Sequence, residues 1–447
     1  MTEYTSLRSR VSGPVLEPSD PGYADEAAGF NLAVVHSPDA VVGATSASDV
    51  AETVKFARAN GLRVHVQSTG HGAEAPIVGG VLVTTRRLDS VSVDGPLKIA
   101  TVGGGAQWAS VVDAAANVRL APVTGSSTNV GVVGYLTGGG LGPLSRSHGF
   151  SSDYVRGFTV VIGTGEIVEA SPLENSDLFW ALRGGKFGLG IVTEVRIALV
   201  ELDTLYAGSL LFAEEHIEAV ARGWAEWTAT APDDVTTSIG IFRFPDLEFI
   251  PEPVRGRTLL NMHFAYPGGI EEGERLAAPL RALAPVYLDS LAELPARDVA
   301  LIHNDPTNPG PGWATGALLG PIDQDFVTAW LGQLGSGAQT PLMIGEIRHL
   351  GGAVRTDVPE GSAAGGRTAA YTLSFIGAPN PALFAEVVPA AADRAYAAVA
   401  PWISPESNIN FVGVNRPGQT GQPWLAEPHA RLVAVRAAHD PDGVFAR

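Results

Sequence analysis

The chain reads Gln67-Ser68-Thr69-Gly70-His71-Gly72-Ala73 directly after a β-branched segment, residues 62–66, that is typical of a strand. This order predicts a turn of small residues with one imidazole at its tip. A second stretch, residues 122–142, is dense in glycine and otherwise largely apolar. Glycine contributes no core packing, so such a run is expected where backbone N–H groups approach a flat or anionic group closely. A mobile surface loop is the alternative, although a solvated loop would carry more polar residues.

Composition sets the broad class of the protein. The sequence has 447 residues, 45% of them hydrophobic, which is enough for large buried cores in two or three domain-sized units. The net charge of −18 argues against nucleic acid as a partner, because such binding needs a basic face. The absence of cysteine excludes disulfides, thiolate metal sites and cysteine nucleophiles, and no metal site is predicted. No apolar stretch approaches the roughly 20 residues of a membrane span, so a cytoplasmic protein without a membrane partner is expected.

The predicted elements change in character near residue 200. Before it, short strands alternate with short helices, one of which begins with a capping-box pattern at Ser46 and Asp49. After it, helices are predicted over 214–228, 271–283, 323–334 and 381–399, and strands over 237–244, 258–266, 342–349 and 369–376. Strands mixed with helices on one face are typical of an α+β domain with an antiparallel sheet. The tail is predicted to hold a strand over 409–412 and a helix over 426–438.

Several motifs in a fixed order resemble one known family. They are the His71 turn, the segment Gly125-Ser126-Ser127-Thr128-Asn129-Val130-Gly131-Val132-Val133-Gly134, the run Gly138-Gly139-Gly140-Leu141-Gly142, and Leu182-Arg183-Gly184-Gly185 ahead of Gly190-Ile191-Val192-Thr193. In these motifs the chain resembles the berberine-bridge-enzyme-like oxidases of the vanillyl-alcohol-oxidase superfamily. The resemblance implies a PCMH-type FAD-binding domain over 1–200 and an inserted antiparallel-sheet substrate domain, backed by helices, over 201–400. A C-terminal segment, 401–447, would return to the FAD domain.

The resemblance also implies which residues hold the flavin. His71 matches a histidine bonded covalently to the cofactor, whereas a lone histidine on a turn is otherwise most often a surface or capping residue. Many relatives make a second bond through a cysteine, and here Ser127 occupies that position, so a single covalent link is expected. Val192 would lie near the adenine or, equally, be a buried strand residue. The full predicted set is Ser68, Thr69, Gly70, His71, Gly72, Ala73, Gly125, Ser126, Ser127, Thr128, Val130, Gly131, Gly134, Gly138, Gly139, Gly140, Val192 and Asn410.

Candidate catalytic residues come mainly from the strand predicted over 342–349. Glu346 and Arg348 share one face of it because strand side chains alternate. They form either a solvent-facing surface or an active-site wall, where Glu346 would act as a general base and Arg348 would orient an anionic or carbonyl group. Tyr371 and Tyr135 are further catalytic candidates. Other residues considered are His303 and His349 as spare bases and Trp313 as a lid or packing residue.

Three functions are compatible with these patterns. The first is an FAD-dependent oxidoreductase of the oxidase type, in which a small alcohol, amine or partly reduced ring, plausibly of secondary metabolism, gives a hydride to the flavin and O2 reoxidises it. The second is a catalytically silent flavin-fold binding protein, suggested by tyrosines that relatives have and this chain lacks. The third treats the glycine run as a nucleotide loop. The third is the weakest, because no Gly-Lys-Ser/Thr motif or helix-opening Gly-x-Gly-x-x-Gly motif follows a strand.

Overall fold

A computed structural model describes residues 4–248, 250–412 and 424–445. Within these ranges the strands form three sheets, two built from residues 15–198 and the third from residues 204–377. Helices pack on the sheets, which confirms the predicted α+β class. The domain boundaries predicted at 200 and 400 stay a proposal, which this distribution of strands supports. No helix in the described ranges has both the length and the apolar character that a bilayer span requires.

The first sheet is mostly parallel and carries the His71 turn at the end of one strand. Its strands are β1 (Val15–Leu16), β2 (Ala40–Gly43), β3 (Val64–Gln67) and β4 (Val81–Thr84), in the order β1-β2-β4-β3, with helices α1 (Thr5–Arg8), α2 (Tyr23–Ala27) and α3 (Ala47–Ala59). β2 and β4 are buried along their whole length, as central parallel strands commonly are. The Ser46 hydroxyl accepts the Asp49 backbone N–H at the start of α3, which confirms the predicted cap.

The second sheet is antiparallel and supports the glycine-dense stretch. Its strands are β5 (Val91–Asp94), β6 (Ile99–Gly103), β7 (Val155–Val161), β8 (Ile167–Ala170) and β9 (Ile191–Ala198), in the order β5-β6-β9-β7-β8. The accompanying helices are α4 (Trp108–Ala116), α5 (Val132–Leu136), α6 (Ser145–His148) and α7 (Ser176–Leu182). A buried core that includes Trp108, Phe158 and Phe179 joins the sheet to α4, α5 and α7. The glycine-dense stretch, which contains α5, is therefore anchored on a packed base.

The third sheet has eight antiparallel strands and confirms the predicted antiparallel sheet backed by helices. The strands are β10 (Thr204–Ala213), β11 (Thr236–Arg243), β12 (Thr258–Tyr266), β13 (Val286–Asp289), β14 (Ala292–Pro295), β15 (Ala314–Leu319), β16 (Leu342–His349) and β17 (Tyr371–Gly377). The order is β13-β10-β12-β11-β16-β17-β15, and β14 also pairs with β10. Its helices are α8 (Ile217–Thr228), α9 (Ile270–Arg281), α10 (Gln324–Leu334) and α11 (Val387–Val399).

The two faces of the third sheet differ in chemistry. On β16, Ile347 belongs to the apolar core that the helices cover. The residues on either side of it point the other way, and across β16 and β17 Glu346 lies opposite Ser374 while Arg348 lies opposite Thr372. Directly opposed residues of an antiparallel pair share one face. The sheet therefore presents a polar patch on the face turned away from its helices.

The C-terminal residues return to the first two sheets. Helix α12 (Ala426–His439) packs against α7, and the Val64 backbone N–H of β3 donates to the Val444 carbonyl at 2.8 Å. The prediction of a strand over 409–412 is wrong, because these residues form a turn. In this turn the Asn408 carbonyl accepts the backbone N–H groups of Phe411 and Val412. The Asn408 side chain also accepts the Asn410 N–H, a local hydrogen bond that favours a turn over an extended strand.

Candidate active site

A cleft of about 1340 Å³ lies between the first sheet, the glycine-dense stretch and the polar face of the third sheet. Its wall comes mainly from residues within segments 64–77, 126–135, 186–190, 316–318 and 403–412, together with Leu141 and Arg348. Pockets for drug-sized ligands measure about 300–1,000 Å³. The cleft therefore has room for a large cofactor and a second small molecule.

His71 stands at the tip of a tight turn on the cleft wall, as predicted. Gly70 takes a φ of +75°, which L side chains rarely adopt. The imidazole stacks on Phe30 with ring centroids 3.8 Å apart, and its Nδ1 lies 2.8 Å from the Thr69 hydroxyl. Its Nε2 is buried and has no hydrogen-bond partner among the residues that the structure describes. Burial lowers the pKa of His71 to about 4, and the Asn129 side chain offsets this only in part. The ring is therefore neutral near pH 7, with a lone pair available for bonding.

The glycines of residues 122–142 fall into two groups. Gly131 and Gly134 line the cleft, and within the described part of the chain no atom lies within 4 Å of the position that a Gly134 Cβ would occupy. A bound group can approach the backbone closely there. Gly138–Gly140, predicted to contact the cofactor, are not among the cleft-lining residues, and a side chain would collide with Asn410 at Gly138 and with the Tyr135 ring at Gly140. The structure thus uses these three glycines for packing behind the cleft.

The remaining predicted cofactor residues lie on both sides of the cleft wall. Those that line the cleft are Ser68, Thr69, Gly70, Gly72, Ala73, Ser126, Val130 and Asn410. Those that do not line it are Gly125, Ser127, Thr128 and Val192. Val192 is only 5% exposed within the core of the second sheet, which agrees with the alternative of a buried strand residue. The Ser127 hydroxyl donates instead to the Asn129 side-chain oxygen at 2.6 Å.

Lys186 is a cleft residue that the sequence patterns did not single out. Its Nζ donates to Asn410 Oδ1 at 2.8 Å, and Asn410 Nδ2 donates to the Tyr135 carbonyl at 2.8 Å. The Lys186 backbone N–H is held by the Thr137 carbonyl at 3.1 Å. Burial lowers the pKa of Lys186 to about 8, so the ammonium group stays largely protonated near pH 7. A lysine in the otherwise apolar and glycine-rich segment 184–190 was the signal that could have indicated this position.

Glu346 and Arg348 lie on the polar face of the third sheet and confirm the prediction that they share one face. Arg348 Nε donates to Glu346 Oε2 at 2.8 Å, and the Ser238 hydroxyl donates to Glu346 Oε1 at 3.0 Å. Arg348 lines the cleft and lies 5.8 Å from the centre of the Phe411 ring. Glu346 is only 6% exposed and is not among the cleft-lining residues. Arg348 is therefore the member of the pair that can meet a bound molecule, while Glu346 orients it from behind.

The two tyrosine candidates occupy different places. Tyr135 lines the cleft, and burial raises the pKa of its phenol, so it stays protonated and suits a hydrogen-bond donor better than a base. Tyr371 is not brought to the cleft. Its hydroxyl lies 2.8 Å from the Thr228 hydroxyl of α8 and its ring stacks on His349 at 5.1 Å, both on the helix-covered face of the sheet. Its assignment as a catalytic residue does not fit the structure, because strand alternation turns it away from Arg348. Trp313 is buried in the same core, as a packing residue.

A histidine pair lies beside Glu346, and only one of its members was considered from the sequence. The rings of His263 in β12 and His303 stack with centroids 3.9 Å apart, and the His263 Nδ1 lies 2.9 Å from the Ser238 hydroxyl. Burial lowers the pKa of His263 to about 3, and that of His303 well below its ordinary value. Asp305 follows on the same loop and accepts the Ser126 hydroxyl at 2.8 Å. The pair escaped prediction because it joins residues 40 positions apart in the sequence through the fold alone.

These residues suit a bound FAD. The cleft is large enough, its wall offers open backbone at Gly134, and the neutral His71 ring has a nitrogen without a partner. Tight glycine turns of this kind bring backbone N–H groups close to phosphate. The residues that would hold the cofactor are those of the Ser68–Ala73 turn, Ser126, Val130, Gly131, Gly134 and Asn410.

Comparison with known sequences supports the same cofactor. Residues 38–171 match the FAD binding domain family. The chain is 31% identical to (R)-6-hydroxynicotine oxidase of Paenarthrobacter nicotinovorans over 285 residues, which cover 63% of this chain and 61% of that protein. It is 32% identical to an FAD-dependent monooxygenase of Penicillium roqueforti over 200 residues, 44% of this chain and 39% of that protein. The aligned segments thus span less than two thirds of either relative.

Solved structures match over nearly the whole chain. The 6-hydroxy-D-nicotine oxidase of Arthrobacter nicotinovorans superposes with a TM-score of 0.83 at 24% identity, covering 97% of this chain and 96% of that one. A berberine-bridge-enzyme-like protein of Physcomitrella patens gives a TM-score of 0.84 at 18% identity, covering 99% and 97%. The glucooligosaccharide oxidase of Acremonium strictum, described as having 6-S-cysteinyl, 8α-N1-histidyl FAD, gives 0.82 at 21% identity, covering 99% and 98%. The chain therefore has the PCMH-type fold, carries an FAD-binding domain over residues 38–171 and is homologous to (R)-6-hydroxynicotine oxidase.

Proposed function

We propose that this protein is an FAD-dependent oxidase of a small organic molecule. The observation that carries the proposal is a single cleft with His71 on one wall and Arg348 on another. When bound, FAD supplies the redox chemistry by accepting a hydride from the substrate and passing electrons to O2. The relatives named above are oxidases and a monooxygenase, which supports an oxidoreductase. The small-molecule substrate and O2 are the partners that this proposal requires.

His71 is proposed to hold the flavin through one covalent bond. Its ring is neutral, is fixed by the Thr69 hydroxyl and by stacking on Phe30, and keeps one nitrogen without a partner. A fixed neutral imidazole is a suitable nucleophile. The chain has no cysteine for a second bond, and Ser127 donates to Asn129 behind the cleft wall. The flavin is therefore proposed to be attached through His71 alone.

Arg348 is proposed to bind and orient the substrate. Its guanidinium lines the cleft, and the ion pair with the buried Glu346 fixes its position. A fixed guanidinium would bind a carboxylate, carbonyl or other electron-rich group of the substrate. Tyr135 would add a hydrogen-bond donor, since burial raises the pKa of its phenol. Glu346 is proposed as the positioning residue of this group, because it does not line the cleft.

Lys186 is proposed to supply positive charge on the cleft wall beside Asn410. Its ammonium group is held by Asn410 Oδ1 at 2.8 Å. A fixed cation in a water-poor cleft stabilises negative charge that develops during a reaction more strongly than it would in water. The side chain therefore suits the stabilisation of the reduced cofactor.

The proposal is tested first by the colour of the purified protein before and after acid precipitation. Yellow colour that stays in the pellet supports an FAD protein with a covalent link, and yellow colour in the supernatant supports FAD without the link. Folded protein that takes up no flavin would overturn the proposal. The alternative of a catalytically silent binding protein predicts bound flavin whose absorbance no candidate alcohol, amine or reduced ring bleaches under anaerobic conditions. The predicted cytoplasmic location stays a prediction, which fractionation of producing cells would check.

A further inference from the structure

Three potential metal ligands converge behind the Arg348 wall of the cleft. The Nδ1 atoms of His263 and His303 each lie 3.8 Å from Glu346 Oε1. One ligand atom from each of the three residues lies within 4.8 Å of the other two. Bonds of about 2.0–2.2 Å to one ion place tetrahedral ligand atoms about 3.3 Å apart, so side-chain movements of up to about 1.5 Å would close the site. Two imidazoles and one carboxylate form a set that binds Zn²⁺ and related divalent ions.

The backbone holds these ligands in a fixed arrangement. His263 lies on β12 and Glu346 on β16, and both strands pair with β11 between them. His303 reaches the same place from the loop after β14, and its ring stacks on that of His263 with an angle of 26° between the planes. Two stacked imidazoles would repel each other if both were charged, so at least one keeps a lone pair free. The chain thus positions ligand atoms before an ion arrives.

Asn261 provides the outer support that histidine ligands usually have. Its side-chain amide lies 3.1 Å from His263 Nε2, on the far side of the ring from Glu346, and its Oδ1 is buried with no hydrogen-bond partner in the described ranges. With the amide turned so that Oδ1 accepts the Nε2–H of His263, Nδ1 carries the lone pair, and an ion bound there would replace the hydrogen bond between Nδ1 and the Ser238 hydroxyl. Ligating histidines typically donate their second N–H in this way. Rotation of the Asn261 amide therefore gives Oδ1 a hydrogen-bond donor and leaves Nδ1 of His263 able to bind an ion.

A small void next to the histidines can hold a further ligand. It measures about 20 Å³ and is lined by Ser238, His263, His303, Arg348 and Thr372, among others. A cavity needs about 10–15 Å³ to hold one water molecule. The Thr372 hydroxyl is buried there and has no hydrogen-bond partner within residues 4–248, 250–412 and 424–445. A water bound to an ion and to Thr372 would use both the space and the unpaired hydroxyl.

The local charge favours a cation. Glu346 shares its carboxylate, with Oε2 facing Arg348 and Oε1 facing the histidines. Asp305 lies close enough to act electrostatically on both Arg348 and His263. Two carboxylates against one guanidinium leave a net negative charge before an ion binds. A divalent cation therefore enters a site that attracts it, despite the nearby guanidinium.

We propose that His263, His303 and Glu346 form a binding site for one divalent transition-metal ion of the Zn²⁺ type, with a water molecule in the adjoining void. The sequence alone predicts no metal site, and the geometry points to one. This site is separate from the FAD cleft and shares Arg348 as part of its wall. The proposal goes beyond the oxidase function and does not depend on it, because metal binding is measured without turnover.

The test measures metal binding by the flavin-loaded full chain. The protein is dialysed against a chelator, then titrated with ZnCl2 in an isothermal calorimeter, and its metal content is measured after gel filtration. A His263→Gln/His303→Gln double variant removes two ligands, and His216→Gln is the matched control because His216 directly precedes α8 and belongs neither to the cluster nor to the cleft wall. Melting by circular dichroism establishes that each variant is folded. X-ray absorption of the zinc-loaded wild type reports whether imidazoles coordinate the ion and does not depend on any variant.

The expected result is one zinc per wild-type chain and per His216→Gln chain, with affinity at least 100-fold weaker in the double variant. Imidazole scattering in the absorption spectrum would support the same site. Wild-type protein that binds no zinc, or a double variant that binds zinc as tightly as wild type, would overturn the proposal. A zinc spectrum without imidazole would overturn it as well. Folded protein that takes up no flavin but binds zinc at these residues would refute the oxidase proposal alone.

Discussion

Replacing His71 with alanine tests the proposed flavin attachment most directly. The His71 ring offers a potential covalent bond to the flavin, and it separately contributes to folding stability by packing on Phe30 with the ring centroids 3.8 Å apart. The pKa of about 4 leaves roughly one ring in a thousand protonated at pH 7, so nearly every wild-type chain can react. Loss of a stacked ring pair costs about 0.5–1.5 kcal/mol, a small part of the stability of a typical domain. The variant should therefore fold, bind FAD and lack only the covalent bond.

The assay follows flavin through acid precipitation. Wild-type protein should keep its flavin in the pellet, and His71→Ala should release essentially all of it to the supernatant while binding FAD reversibly in native buffer. His65→Ala is the matched control, since His65 also lines the cleft two residues before the turn but belongs to β3. Urea unfolding should show a loss of about 1 kcal/mol for His71→Ala. Flavin that stays in the acid pellet of His71→Ala would refute covalent attachment through His71. Release of flavin from the pellet of His65→Ala would indicate that His65 is the attachment residue instead.

Three further changes probe other parts of the structure. Arg348→Met should slow anaerobic flavin reduction by substrate at least 10-fold with unchanged flavin content, measured by stopped flow, because the cleft loses its fixed guanidinium; unchanged reduction would contradict its role. Lys186→Met should weaken FAD retention or make flavin reduction less favourable, because Asn410 loses its hydrogen-bond donor. The measurements are the flavin content and the reduction potential of the variant. Wild-type values for both would refute the proposed role of the Lys186 charge. His349 is 6% exposed, and burial, together with Arg146 and Arg355, lowers its pKa to about 3 in the folded chain. As the pH falls below 6.5, the His349 ring therefore takes up a proton in the unfolded chain but not in the folded chain. The free energy of unfolding should therefore fall by about 2 kcal/mol more in wild type than in His349→Gln between pH 6.5 and 5, measured by urea titration, and equal slopes would contradict this.

Patterns local in sequence predicted a large part of the fold. The strands β12 and β16 were predicted with the bounds that the structure shows, because each is a continuous run of strand-forming residues between turn signals. The strand β10, Thr204–Ala213, was missed although it contacts three other strands. Residues 205–208 are buried without a break and include Ala207 and Gly208, so the first half of the strand lacks the clean alternation that marks a half-buried strand.

The site was predictable where it depended on one strand or turn and not where it depended on register. The shared face of Glu346 and Arg348 follows from alternation within β16. The orientation of Tyr371 depends on which β17 residue lies opposite Arg348, and the structure shows that this is Thr372. A shift of one residue in the register between β16 and β17 would turn Tyr371 to the face that carries Arg348. Lys186 escaped prediction for a related reason, since its partner Asn410 comes from a segment more than 200 residues away.

The hydrogen bond between Val64 and Val444 has a consequence for how the protein is made. β3 is the edge strand of the first sheet, and its outer edge is met by a bridge to Phe445. While the ribosome is still producing residues 204–377, that edge has no partner and is open to pairing with other chains. The turn that carries His71 therefore reaches its final support only after residue 445 has left the ribosomal tunnel. We expect the nascent chain to need protection of this edge until residues 444 and 445 pair with it.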